Sequence, residues 1–170
     1  MRIPIREIGE AIRGIIWSEC SSSLGLKSAQ FTLFEPADLS EDFVNYFPSV
    51  LILEPTWETS RPPGRSQMGW PLQTGTIGFL VVFARTFAQS DTSPAWTSAL
   101  LQECETIENA ITKTVNGQFF PGQTLPSDTT IPRVWINRVG MLGQPDSEQQ
   151  SVRLAEAQIY VSVDVEIEMD

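Results

Sequence analysis

The sequence predicts an α+β fold: a mainly antiparallel sheet with two helices packed on it and long loops between strands. Three observations carry this. Two segments repeat apolar residues at helical spacing, one near the N-terminus and one mid-chain. Several other segments are short apolar runs or alternate at period two, as strands do. The order is helix, strand, long loop, strand, helix, strand, strand, which suits an antiparallel sheet with helices on one face. The 170 residues fit a single domain spanning 1–170, with long loops at about 59–75 and 118–132.

Each element has its reason. Ile5, Ile8, Ile12, Ile15 and Ile16 fall on one helical face, so a helix is expected from Pro4 to Trp17. Proline suits the first turn. Gly9 and Gly14 each weaken the helix by about 1 kcal/mol against alanine. Ser21-Ser22-Ser23 is expected to break it. Phe31 to Phe34 reads as a weak strand or extended loop. Val50-Leu51-Ile52-Leu53 is a β-type run continuing to about Glu58. Thr59 to Gly75, with Pro62-Pro63-Gly64 and Gly69-Trp70-Pro71, is expected to lack regular structure. Gly75 to Phe87 is the strongest strand. Apolar or small residues on both its faces predict a central strand covered on both sides.

Ser93-Pro94 opens the second helix. Trp96, Leu100, Cys104, Ile107 and Ile111 line its buried face, and Asn116-Gly117 is its expected stop. Gln118 to Pro132 reads as loop, Arg133 to Met141 as strand, and Gly143 to Ser151 as a polar turn. From Ala155 to Met169, apolar and polar residues alternate without a break. Strands rarely exceed ~10 residues, so part of this segment is expected to leave the parent sheet or bend within it.

Composition narrows the function classes. Eleven Lys and Arg against 21 Asp and Glu give a formal net charge of −10. Nucleic-acid affinity depends on cations that displace phosphate counterions, so tight binding is disfavoured, as is docking on anionic lipid. Cys20 and Cys104 make no disulfide framework; Cys104 is expected in the core and Cys20 as a free thiol in a polar stretch. No secretory leader or membrane-length apolar run is seen, so a reducing cytosol is expected.

Little in the chain points to catalysis. There is no histidine, which removes Ser-His-Asp and Cys-His constellations and histidine metal sites. No phosphate-loop spacing of glycines is present. Carboxylates are plentiful: Glu103, Glu105 and Glu108 on the second helix, and Asp164, Glu166 and Glu168 on the last strand. Alternate strand residues share a face, so the last three could hold a cation or form a solvated acidic face. Trp57, Trp70, Phe119 and Phe120 lie in or beside the long loops. Trp and Arg are enriched in interface hot spots, which marks Arg61, Arg65, Trp70, Phe119 and Phe120 as expected interface residues.

The order of elements resembles the tail terminator proteins of long-tailed bacteriophages, also called tail-completion or minor tail proteins. The matching features are the helix Ile5–Ile16, Tyr46-Phe47-Pro48-Ser49-Val50-Leu51-Ile52 entering a strand that breaks into a long loop, Phe79-Leu80-Val81-Val82-Phe83-Ala84-Arg85, the helix with Ile107 and Ile111, and the alternating end Ala155 to Val163. The resemblance covers most of the chain; the two loops are long for a minimal member. It implies a homo-oligomeric ring, typically hexameric, that caps the tail tube and meets the neck or connector protein. It implies a virion component assembled in the host bacterial cytoplasm, with no enzyme activity, no cofactor and no membrane. Genome DNA would pass through the lumen without specific binding. On that reading Asp164, Glu166, Glu168 and Asp170 face the lumen or a subunit interface, where acidity repels phosphate. The alternatives are another neck or tail tube protein, and a small acidic-site enzyme or ligand-binding domain.

Overall fold

The structure is a computed structural model that describes residues 3–26, 31–33, 49–58, 64–65, 71–88, 93–143 and 152–168. Its centre follows from the alternating C-terminal segment. That segment forms a strand, Val152–Glu168, paired without interruption along the apolar strand Pro71–Ala88, from Ala88↔Val152 to Leu72↔Glu168. At ~3.3 Å per residue the pair is about 55 Å long. The last strand therefore does not leave the sheet, as its length suggested. A partner of matching length satisfies the backbone groups along one edge, and the strand Thr129–Gly143 pairs with the other.

In chain order the strands are β1 (Phe31–Leu33), β2 (Ser49–Glu58), β3 (Gly64–Arg65), β4 (Pro71–Ala88), β5 (Thr114–Val115), β6 (Gln118–Phe119), β7 (Thr129–Gly143) and β8 (Val152–Glu168). The main sheet runs β1-β2-β4-β8-β7, with β3 paired to β4. It is antiparallel except for the short β1–β2 pair. Beyond Ile52, where β1 ends, β2 shifts register between Leu53 and Thr56. Pro55 sits in that shift, on a stretch with no outer partner among the described residues, where a missing N–H is tolerated. The stretch expected to be wholly irregular, Thr59 to Gly75, is corrected in part. Gly64 and Arg65 pair with Leu72 and Pro71, so β4 begins at Pro71 and not at Gly75.

One face of the sheet holds the core. On β8, Ala155, Ala157, Ile159, Val161, Val163, Val165 and Ile167 are at most 2% exposed. They stand opposite Ile77, Phe79, Val81 and Phe83 of β4, with pairs such as Phe79↔Val161 and Val81↔Ile159. Helix α1 (Ile5–Leu24) contributes Ile8, Ile12, Ile15, Ile16 and Cys20 to the same cluster. Helix α2 (Ser93–Thr112) contributes Leu100, Cys104, Ile107 and Ile111. The two helices also meet each other: Lys113 Nζ is 2.9 Å from a Glu19 carboxylate oxygen, and Cys20 Sγ donates weakly to the Thr106 carbonyl at 3.7 Å.

Helix α1 runs on through the serines that were expected to end it. Ser18 and Ser23 turn their hydroxyls back onto the carbonyls of Ile15 and Cys20, and the buried stripe continues to Leu24. Gly25, at φ 68°, then ends the helix in the left-handed region. Gly14 also has a reason within the helix. The Gln123 amide lies where a Cβ would stand, so the turn after β6 rests directly on the helix backbone. Cys20 is likewise corrected from a polar stretch to the core, at 0% exposure.

Asn116-Gly117 is not the stop of α2, which ends at Thr112. With φ of 52° and 76° these residues form the two-residue turn of the β5–β6 hairpin. The loop expected over 118–132 shrinks to the stretch between Phe119 and Thr129, since β7 starts four residues before Arg133.

Candidate functional site

The even residues of β8 point away from the helices, so the site is built from the other face of the sheet. Strand β4 is central as expected, but among the described residues both helices lie on one side of it. No described helix supplies the cover expected on the second face. Leu80 and Val82 are half-buried on the second face, and Tyr160 beside Leu80 is 37% exposed.

This open face changes character along its length. Towards the middle it carries Leu80, Val82, Tyr160 and Trp135. Towards the end of β8 it carries Asp164, Glu166 and Glu168. In register, Asp164 lies between Thr76 of β4 and Arg133 of β7, and Glu166 between Thr74 and Thr130. Thr76 Oγ1 donates to Asp164 Oδ1 at 2.7 Å, and Arg133 Nε donates to Asp164 Oδ2 at 3.0 Å. The Arg133 guanidinium also stacks over Trp135, 4.1 Å from the ring centroid. A register shift between Thr130 and Arg133, at Pro132, opens β7 here. Thr74, Thr76, Pro132, Arg133, Asp164 and Glu166 line a cleft of about 540 Å³. A row above, Asn137 donates to the Ser162 hydroxyl, and Ser162 is 8% exposed.

The charge pattern has a chemical consequence. Asp164 is matched by a cation and a hydroxyl, so at this end of the face the net negative charge rests on Glu166 and Glu168. Among the described residues no three His, Cys, Asp or Glu side chains group as a metal site. The helix carboxylates do not converge either. Glu103 pairs with Arg85, whose guanidinium lies over Phe87 at 5.1 Å. Burial, and then Glu105, pushes the Glu108 carboxyl up. Both cysteines are free and buried, and burial pushes each thiol up to about 11, so neither offers a thiolate near neutral pH. A second cleft, of about 530 Å³, lies beside α1 and is lined by Glu10, Arg13, Trp17 and Gln123.

The structure treats the expected interface residues unequally. Arg61, Trp70 and Asp170 lie outside the described residues. Arg65 supplies the backbone of β3, paired with Pro71. Phe119 is half-buried against the core, with its ring 6.5 Å from that of Phe120. Phe120 is corrected from an interface residue to a core residue, at 1% exposure. Its φ of 54° turns the chain so that the ring enters the core directly after the β5–β6 hairpin. Thr76, Arg133 and Trp135 were missed. Their only sequence signal is period two within their own strands, and their meeting with Asp164 is set by inter-strand register.

No helix among the described residues is long and apolar enough to cross a membrane. No protein-family model matches the chain, and no curated protein does.

Proposed function

We propose that the chain is a structural subunit of a phage particle, closing as a ring on the end of the tail tube at the head-tail junction. The ring is hexameric if the resemblance in element order holds. Its partners are further copies of the chain, the tail tube protein and a neck or connector protein. On this reading it works in the virion, assembled in the bacterial cytoplasm, without catalysis and without a cofactor.

One observation carries the reading: a sheet of unusually long strands with both described helices on one face and a partly acidic second face. A sheet built this way can form a wall, with its core on one side and a working surface on the other. Glu166 and Glu168 on that surface repel phosphate, so DNA could slide past without being held. Asp164, held by Arg133 and Thr76, ties β8 to both neighbouring strands at the acidic end of that surface.

The test is electron microscopy of the purified chain and of particles carrying it. A closed ring at the tail end of the particle supports the reading. A ring of the same chain found within the tube or on the neck side moves it to a neighbouring station. A chain that forms no oligomer and joins no particle overturns it. The charge-reversed variant Asp164→Lys with Glu166→Lys should assemble normally but impede DNA passage. Unchanged infectivity of that variant would remove the acidic face from the argument.

A further inference from the structure

We propose that Asn116 is a modification site: its side-chain amide converts spontaneously to aspartate and isoaspartate in the native chain. The chemistry needs only water. The backbone nitrogen of Gly117 attacks the Asn116 side-chain carbonyl carbon, and ammonia leaves. A five-membered succinimide ring remains between the two residues. Water then opens the ring at either carbonyl. One opening gives aspartate, and the other gives isoaspartate, in which the main chain runs through the side-chain carbon.

Four features of this position favour the attack. Gly117 has no side chain to crowd its nitrogen. Both residues are exposed, and so are Val115 and Gln118 beside them. The Asn116 amide makes no hydrogen bond among the described residues, so it is free to rotate. The turn is held by two pairs alone, Thr114↔Phe119 and Val115↔Gln118. A hairpin that small is marginal and opens readily, which releases the left-handed backbone the closed turn imposes.

The same chain supplies its own controls. Asn109 lies in α2, where the helix holds the nitrogen of Ala110 in place. Asn137 is followed by Arg138, and its amide is engaged by Ser162. Neither combines a following glycine, a loose backbone and a free amide.

The consequence is local. Either product adds a negative charge to the tip. Isoaspartate also lengthens the turn by one backbone carbon, which a two-residue turn cannot absorb without losing its register. Phe120 anchors the chain immediately beyond, at 1% exposure, so the core should not feel the change.

The experiment is incubation of the intact native chain in mildly alkaline buffer, then peptide mapping by mass spectrometry with separation of aspartyl and isoaspartyl peptides. A parallel sample is held unfolded in urea. The expected result is replacement of NH2 by OH at residue 116, roughly tenfold or more ahead of residues 109 and 137, as expected for a frayed turn against ordered elements. Far-UV circular dichroism and the melting temperature should stay close to those of the fresh protein. Conversion at 116 no faster than at 109 or 137 would overturn the proposal. So would conversion confined to the unfolded sample, because the closed turn would then be protective.

Discussion

Val163 is completely buried, while Asp164, the next residue along β8, lies on the open face bonded to Thr76 and Arg133. The same contrast repeats along the strand: Ile159 is buried and Tyr160 is 37% exposed, and Ile167 is buried and Glu168 exposed. Successive side chains of a strand point to opposite faces, so one strand belongs to two environments at once. The helix-covered face is where stability resides. The open face is free to vary its chemistry along its length, and it does, from Tyr160 and Leu80 to Glu166 and Glu168. A one-residue slip would exchange the two sets, so the register is held by the whole apolar cluster.

The sharpest way to break this contrast is to place the same charge on both sides of it. Val163→Asp puts an unpaired carboxylate into the apolar core and should cost about 4 kcal/mol or more, a large share of a typical domain's stability. Tyr160→Asp, three residues away on the open face, should cost about 1 kcal/mol or less, as surface changes do. Urea unfolding of the two variants compares them directly. Equal losses would mean that the second face is also a core.

Much of this contrast is legible in the sequence. The alternation from Ala155 to Met169 predicts both the strand and its two faces, and Leu100, Cys104, Ile107 and Ile111 fall on the helix face their spacing implies. Three kinds of feature could not be read. Helix α1 outlasts Trp17 because its buried stripe runs on through Cys20 to Leu24, while Ser18 and Ser23 are accommodated by bonding back to the backbone. Phe120 reads as available to a partner because it is an aromatic in an expected long loop, yet its left-handed backbone sends it inward. The pairing of Arg133 with Asp164 depends on a register shift at Pro132, and no property of either residue's own segment encodes that meeting.

The covered side also predicts a pH response. Burial, followed by the charge of Glu19, pushes the Cys20 thiol from 9.0 up to about 11. Burial, followed by Glu108, does the same for Cys104. Both groups bind their protons more tightly folded than unfolded. Their contribution is therefore complete below about pH 9 and is lost as pH rises through about 11. The urea midpoint should fall across that window. In a Cys20→Ala, Cys104→Ala double variant the fall should be smaller. An equal fall in both proteins would assign it to other groups.

The smallest expected effect lies on the open side. Asp164→Ala removes an acceptor from Thr76 and a partner from Arg133, whose side chain is 66% exposed. Water can hydrate the freed guanidinium, and Trp135 still supports it from 4.1 Å. The loss should therefore be about 1 kcal/mol or less. Added salt should shrink it further, since an exposed ion pair is screened within a Debye length of ~10 Å. Urea unfolding of the variant and the parent at low and high salt measures both quantities. A loss of several kcal/mol, unmoved by salt, would mean that Asp164 sits in a dry environment, and the division between covered and open faces would then fail where the charges are densest.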